Sequence, residues 1–140
     1  MVESRPVQPR AGSDYPRTLV EFGEFFPDEK ACVAYLERLR WPEGFVCPRG
    51  HVATAAWRLG RGLNVCPTCR RQVSATAGTL FEGTRKLRHW FLAAWLVTSQ
   101  KSGASALGIQ RALGLGSYET AWAWLHKLRR AMVRPDRDQL

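Results

Sequence analysis

The sequence predicts an α+β fold: a small antiparallel ribbon flanked by an N-terminal helix and followed by a helix-turn-helix-like bundle. Three observations predict it. Helical periodicity with recognisable start and stop residues lies on both sides of the middle of the chain. The middle breaks into β-type runs of two or three residues separated by Gly, Pro and polar residues. Within that middle stretch stand two short Cys/His knuckles, with fourteen residues between them.

The knuckles read Cys47-Pro48-Arg49-Gly50-His51 and Cys66-Pro67-Thr68-Cys69. They offer three thiols and one imidazole. Zinc takes four such donors in a tetrahedron, and ligand pairs a few residues apart, joined by a longer loop, supply that geometry. A C-x-x-C turn brings both sulfurs to one edge of the tetrahedron, and Cys-x-x-x-His does the same with a longer reach. Gly50 stands where a repeated C-x-x-C would place its second Cys, and His51 is the substitute. The expectation is a structural Zn2+ held by Cys47, His51, Cys66 and Cys69.

Other uses of the thiols fit less well. Two disulfides would suit a secreted chain, but the N-terminus lacks the basic start and apolar run of a secretion signal, and cytosolic thiols stay reduced. A redox use of Cys66 and Cys69 would have the motif open a helix in a βαβ pattern, whereas it lies between two β-type runs. A ribbon this small has too thin a core to fold well alone. Structural zinc contributes about 10–16 kcal/mol of apparent folding free energy in comparable modules.

At 140 residues the chain holds one ordinary domain or two very small ones. Its longest apolar run, Trp90 to Val97, is far short of the ~20 residues a membrane span needs. The expectation is a soluble cytoplasmic protein. The formal charge of +9 suggests an acidic partner such as nucleic acid. That charge is uneven: residues 1–44 hold six Lys or Arg against eight Asp or Glu, whereas residues 85–134 hold nine against Glu119 alone. A solvated helix face usually mixes signs, so the imbalance marks the C-terminal region.

In chain order, residues 1–20 have Pro6, Pro9 and Pro16 with few apolar residues, and predict a disordered arm. Residues 21–84 predict a helix plus the ribbon. Asp28 is the N-cap, and Cys32, Tyr35, Leu36 and Leu39 fall on one stripe that predicts burial. Trp41-Pro42-Glu43-Gly44 ends the helix. Phe45-Val46, Trp57-Arg58-Leu59, Leu63-Asn64-Val65 and Gln72-Val73-Ser74 are the β-type runs, with Gly60-Arg61-Gly62 as a hairpin turn.

Residues 85–134 predict the helical region, and 135–140 a tail. The first helix, from about Arg85 to Lys101, is apolar nearly all round, which places it centrally. Ser105 caps a short helix to Leu113, with Ala104 and Ile109 as a hydrophobic staple. Gly114-Leu115-Gly116 turns the chain, and Ser117 caps a long final helix. Its predicted buried stripe is Tyr118, Ala121, Trp122, Leu125, Leu128 and Met132. The other face offers Thr120, Trp124, Lys127, Arg130 and Arg134.

A short helix, a Gly turn and a longer basic helix form a helix-turn-helix pattern, whose second helix enters the major groove. Ser117, Glu119, Thr120 and Ala123 would face base edges. Lys127, Arg130, Arg134 and Arg111 would reach phosphates, with Trp124 on the same face. Arg70 and Arg71 add positive charge on the ribbon. A plain three-helix bundle with a basic exterior accounts for the same helices.

Longer motifs carry a resemblance. Arg40-Trp41-Pro42-Glu43-Gly44-Phe45-Val46-Cys47-Pro48 is followed by Cys66-Pro67-Thr68-Cys69-Arg70-Arg71-Gln72-Val73-Ser74 and Ala77-Gly78-Thr79-Leu80-Phe81-Glu82-Gly83-Thr84. Then come Trp90-Phe91-Leu92-Ala93, Gln100-Lys101-Ser102-Gly103, Leu113-Gly114-Leu115-Gly116-Ser117-Tyr118 and His126-Lys127-Leu128-Arg129-Arg130-Ala131-Met132. Over residues 20 to 134 the chain resembles the N-terminal zinc-ribbon region of a group of bacterial insertion-sequence transposases. The resemblance implies binding of double-stranded DNA at the element's terminal inverted repeats, in a nucleoid-associated bacterial protein. In that family an RNase H-like domain with an acidic triad and two divalent metals follows.

The family's first knuckle is C-P-x-C-G, from which Cys47 to His51 departs. After Thr84 the acidic residues are Glu119, Asp136 and Asp138, too few for a two-metal site. The expectation is therefore a DNA-binding portion of a transposase, truncated or partial, with no catalytic residue of its own. A separate catalytic transposase chain and a second copy of this chain are further expected partners. The alternatives are a zinc-ribbon protein-interaction module, a small transcription regulator, and an enzyme such as a nuclease.

Overall fold

The computed structural model describes residues 9–53, 56–59 and 63–133. Helices α1 (Leu19–Phe25) and α2 (Glu29–Arg40) come first. The ribbon follows as strands β1 (Phe45–Val46), β2 (Val52–Ala53), β3 (Trp57–Leu59), β4 (Leu63–Val65) and β5 (Gln72–Ser74). Helices α3 (Leu87–Ser99), α4 (Ala106–Leu113) and α5 (Tyr118–Met132) complete it. The fold is α+β, as the sequence predicts.

Local chemistry sets most of these boundaries. Asp28, Ser105 and Ser117 each accept a hydrogen bond from the backbone N–H three residues on, satisfying a donor the helix cannot. α4 ends on Gly114 in the left-handed conformation, φ 65°. Leu115 N–H then donates back to Gln110 O at 3.0 Å, and Leu115 and Ile109 share one core, the pairing that closes a Schellman turn.

The ribbon is two small antiparallel sheets. β1 pairs with β2, with Phe45 opposite Ala53, and β3-β4-β5 form the other, with Trp57 opposite Val65 and Val65 opposite Gln72. β2 has no counterpart among the predicted runs: Val52-Ala53 lacks the paired large apolar residues of Phe45-Val46. The expected Gly60-Arg61-Gly62 turn lies outside the described residues.

Among the described residues there are three buried clusters. Phe45, Cys47, Cys66 and Val73 form the ribbon's. Phe22, Phe26 and Cys32 of the N-terminal helices pack with Leu87 and Phe91 of α3. Trp90 and Ala93, on the other side of α3, pack with Ile109, Leu113, Leu125 and Leu128. α3 is therefore the shared wall of two cores, which accounts for its nearly uniform apolarity. The sequence boundary at 84/85 runs through the cluster that joins α1 and α2 to α3.

Polar contacts key the ribbon onto α2. Glu37 accepts from Arg58 at 2.6 Å and from the buried Asn64 amide at 3.3 Å. Arg40 donates to Ser74 O and Ala75 O at 3.2 and 3.1 Å.

Several expectations need correction. α1 is a helix the sequence reading does not include, beginning at the last two residues of the expected arm and running into the segment after it. Its start is a capping-box pattern, with Thr18 Oγ1 accepting from Glu21 N–H at 3.1 Å. Residues 9–18, expected in the same arm, are held against the helices: Tyr35 Oη donates to Asp14 O and Trp95 Nε1 to Pro16 O. Residues 1–8 lie outside the described residues. Leu39 is exposed rather than buried.

On α5 the buried arc is centred on Ala121, Leu125 and Leu128, so Tyr118, Trp122 and Met132 are exposed. Trp124, expected on the open face, instead stacks on Trp90 with ring centroids 4.2 Å apart and planes 19° apart. The two tryptophans have exchanged roles.

The exchange predicts opposite outcomes. Trp124→Ala should lower unfolding free energy by about 2–4 kcal/mol, a large side chain lost from a core. Trp122→Ala should change it by less than about 0.5 kcal/mol, as for most surface positions. Denaturant titration of the two variants checks this, and equal losses would contradict the packing.

Candidate metal centre and basic helical face

The ligand atoms of Cys47, His51, Cys66 and Cys69 all lie within 4.8 Å of one another. Cys47 and Cys66 are buried, and the sulfurs of Cys47 and Cys69 are 3.5 Å apart. Tetrahedral Zn2+ with Zn–S near 2.3 Å sets ligand edges of about 3.8 Å. Nδ1 of His51 is buried with no hydrogen-bond partner among the described residues, a polar atom that a metal ion would satisfy. All four cysteines are free thiols. The donor set, its compactness and the orphaned imidazole nitrogen fit structural zinc.

Each knuckle is a backbone turn that aims its ligands inward. In the first, Cys47 N–H donates to His51 O and Gly50 N–H to Cys47 O, both at 2.8 Å. In the second, Arg70 N–H donates to Cys66 O at 2.8 Å and Cys66 N–H to Arg71 O at 3.0 Å. Each turn has one left-handed residue, Gly50 at φ 89° and Arg70 at φ 60°. Cys69 comes just before its left-handed residue and His51 just after. The imidazole reaches further from the backbone than a thiol, which makes up for His51 standing one residue further from Cys47 than Cys69 stands from Cys66.

One of the thiols, Cys66, is tuned for metal by its own turn. The Cys69 N–H holds the Cys66 thiol down to about 6, with Thr68 N–H acting the same way against the effect of burial. The shift favours the Cys66 thiolate, the form that ligates zinc. Arg49 N–H donates to Cys47 Sγ at 3.5 Å and favours its thiolate, but burial and the neighbouring Cys69 and Cys66 sulfurs push the Cys47 thiol above its ordinary value. Cys32 is the contrast: burial pushes its thiol up to about 12, with Glu29 adding to the shift. It is a packing residue, as its place on the α2 stripe predicts.

The residues proposed for DNA contact divide. Ser117, Thr120, Trp124 and Lys127 line one cleft beside residues 82–86. Within it Ser117 Oγ caps α5 through Thr120 N–H and lies 2.9 Å from Thr120 Oγ1, so both hydroxyls already have partners. Lys127 is exposed, its Nζ 5.7 Å from the centre of the Trp90 ring. Arg111 and Arg130 are exposed on α4 and α5, and Arg70 and Arg71 on the second knuckle. Arg58, also basic and on the ribbon, is engaged by Glu37. Arg134 lies outside the described residues. Arg85 and Lys86 line the same cleft as Lys127 and were passed over in the sequence. Their signal was a helix start carrying two cations and no acid.

Two outcomes follow for the knuckles. Replacing His51 with Ala should weaken zinc affinity at least about tenfold, since even changes around a ligand cost that much. Competition with a chromophoric chelator measures it, and unaltered affinity would remove His51 from the ligand set. Arg70→Gly should raise the stability of the zinc-loaded protein by about 1 kcal/mol, by relieving a left-handed residue with a Cβ. Thermal melting measures that change, and a lowered Tm would be the contrary result.

Residues 27–77 are matched by the family model described as the transposase zinc-ribbon domain. No curated protein and no solved structure matches the chain. The match covers α2, all five strands and all four metal ligands. Over residues 27–77 the chain is similar to transposase zinc-ribbon domains.

Proposed function

We propose that this chain is the DNA-recognising part of an insertion-sequence transposase, and that it binds the terminal inverted repeats of its element as duplex DNA. The observation that carries this reading is the charge of the helical region, nine Lys or Arg against one Glu over residues 85–134, next to a transposase-type ribbon. α4, the Gly114 turn and α5 have the order and lengths of a helix-turn-helix. α5 is then the helix that enters the major groove. Glu119 and Ala123 are exposed near its start, where base edges are read, and Lys127 and Arg130 are exposed further along, where phosphates lie.

The metal's part is mechanical. Zinc, when bound, supplies four bonds that fix two loops, and it takes no part in chemistry. The chain's own residues do the rest. Glu37 and Arg40 set the ribbon on α2, and α2 packs on α3, so ribbon and recognition helix are presented together. This reading assigns no catalytic residue to these elements and leaves strand transfer to a catalytic domain elsewhere.

A second reading rests on Tyr118 and Trp122, which are 49% and 53% exposed on one flank of α5. Aromatics so placed suit a protein partner, either a separate catalytic chain or a second copy.

A mobility-shift titration across salt decides between them. The DNA reading expects affinity for element-end duplex to fall linearly on a log–log salt plot, with a slope of about 0.9 per phosphate contact. Lys127→Ala or Arg130→Ala should weaken all sequences alike, and Glu119→Ala should change the preference between sequences. Absence of duplex binding, or binding indifferent to salt, would favour the protein-docking reading.

A further inference from the structure

Two cations stand where a helix disfavours them. Arg85 and Lys86 are exposed at the start of α3, whose own first turn holds no acidic residue and whose N-cap, Lys86, makes no side-chain capping bond; the carboxylate that meets this end is Glu29 of α2, whose Oε1 accepts from Arg88 N–H at 3.1 Å. A helix N-terminus carries roughly half a positive charge, so cations there are unfavourable. Among the described residues neither one forms an ion pair; the pairs present are Arg17–Glu21 and Arg58–Glu37. Arg88, just inside the helix, differs. Its guanidinium donates to Phe26 O at 2.6 Å and lies over the Phe22 ring, so it serves the packing of α1 on α3. No such contact accounts for Arg85 and Lys86.

Both line, with Lys127, a cleft of about 610 Å³ between the connector and the first half of α5. The one carboxylate lining it, Glu82, accepts from Gly78 N–H at 3.3 Å. The two sides of the cleft are fixed. On the connector side, Phe81 packs against Trp90 and Phe91 with ring centroids 6.1 and 5.5 Å away, and Thr84 Oγ1 donates to Phe81 O at 2.8 Å. On the other side, the Trp90–Trp124 stack and the Ser117 cap hold α5. Three cations and one carboxylate are thus gathered by rigid elements around one opening, a net positive lining that suits an anion.

We propose that this cleft seats a backbone phosphate of duplex DNA, which makes Arg85 and Lys86 DNA-contacting residues that act together with Lys127. The inference rests on the DNA-binding reading above and adds the connector to the interface. A phosphodiester suits the donors, since a guanidinium can bond two of its oxygens side by side and ammonium groups supply point charges. Phosphate contacts fix register rather than read sequence. A phosphate gripped between connector and recognition helix would set how α5 lies along the groove.

The test uses the zinc-loaded full chain and an element-end duplex. Arg85→Ala/Lys86→Ala is compared with Lys30→Ala/Lys101→Ala, a pair of exposed lysines with the same total charge and no place in the cleft. The cleft variant should lower the salt slope by about 1–2, the share of one or two phosphate contacts, and weaken binding to every sequence. The control pair should leave the slope within about 0.5 of wild type, because distant exposed charges are screened. Melting of the DNA-free protein separates interface from structure. The cleft variant should keep or raise Tm, since it removes repulsion, whereas a structural role would lower it. Equal slopes for the two variants, or a Tm loss that accounts for the weakened binding, would overturn the proposal. Failure of the wild type to bind duplex would instead remove the DNA reading on which it rests.

Discussion

The ribbon depends on four donor atoms meeting at one point. Its strands are two or three residues long, and its buried cluster is Phe45, Cys47, Cys66 and Val73. Two of those four residues are ligands. A sheet this short cannot offset the conformational entropy of its loops by burial. A cross-link between Cys47/His51 and Cys66/Cys69 closes the long intervening segment and sets both knuckles at once. The N–H groups of Cys69 and Thr68 on Cys66, and of Arg49 on Cys47, are backbone contributions that favour negative sulfur, although burial and the crowded neighbouring thiols leave Cys47 above its ordinary value.

The helical part has a different basis. α3 supplies Leu87 and Phe91 to one core, and Trp90 and Ala93 to another. No residue of either core is a metal ligand. Among the described residues the two parts are joined by polar contacts, Glu37 with Arg58 and Asn64, and Arg40 with the carbonyls of Ser74, at the end of β5, and Ala75. Asn64 is buried and has a charged acceptor, so breaking that joint would leave a polar group unsatisfied rather than merely lose a surface pair.

What could be read from the sequence was what is local. The knuckles, the caps at Asp28, Ser105 and Ser117, the Gly114 turn and four of the five strands depend on neighbours in the chain, and their residue types announce them. The capping pattern of Thr18 and Glu21 was equally local and was overlooked. Other features depend on what packs where. Trp122 and Trp124 flank the buried arc of α5 on opposite sides, and periodicity alone makes them equivalent candidates. The Trp90 ring on α3 decides which one is covered. Leu39 is exposed for a similar reason: it lies on the predicted stripe, but the stripe is wider than what covers it. β2 and the docking of residues 9–18 depend on single backbone and side-chain contacts that no pattern announces.

Separate cores imply separate responses to loss of metal. Chelation would remove the cross-link from the ribbon cluster, while the packing of α1 and α2 on α3, and of α3 on α4 and α5, would lose no ligand. The consequence is local loosening of residues 45–74 rather than collapse of the whole chain, and unfolding that does not follow a two-state course. The effect would still reach the helices by one route. Arg71 O accepts from Cys66 N–H next to β5, β5 leads into the carbonyls held by Arg40, and the connector that follows ends at Arg85 and Lys86. A slack second knuckle loosens the start of that route. The far end, pinned by Phe81 on Trp90 and Phe91, belongs to the helical core. The metal therefore governs where the ribbon sits, and the helices govern where the cationic cleft sits.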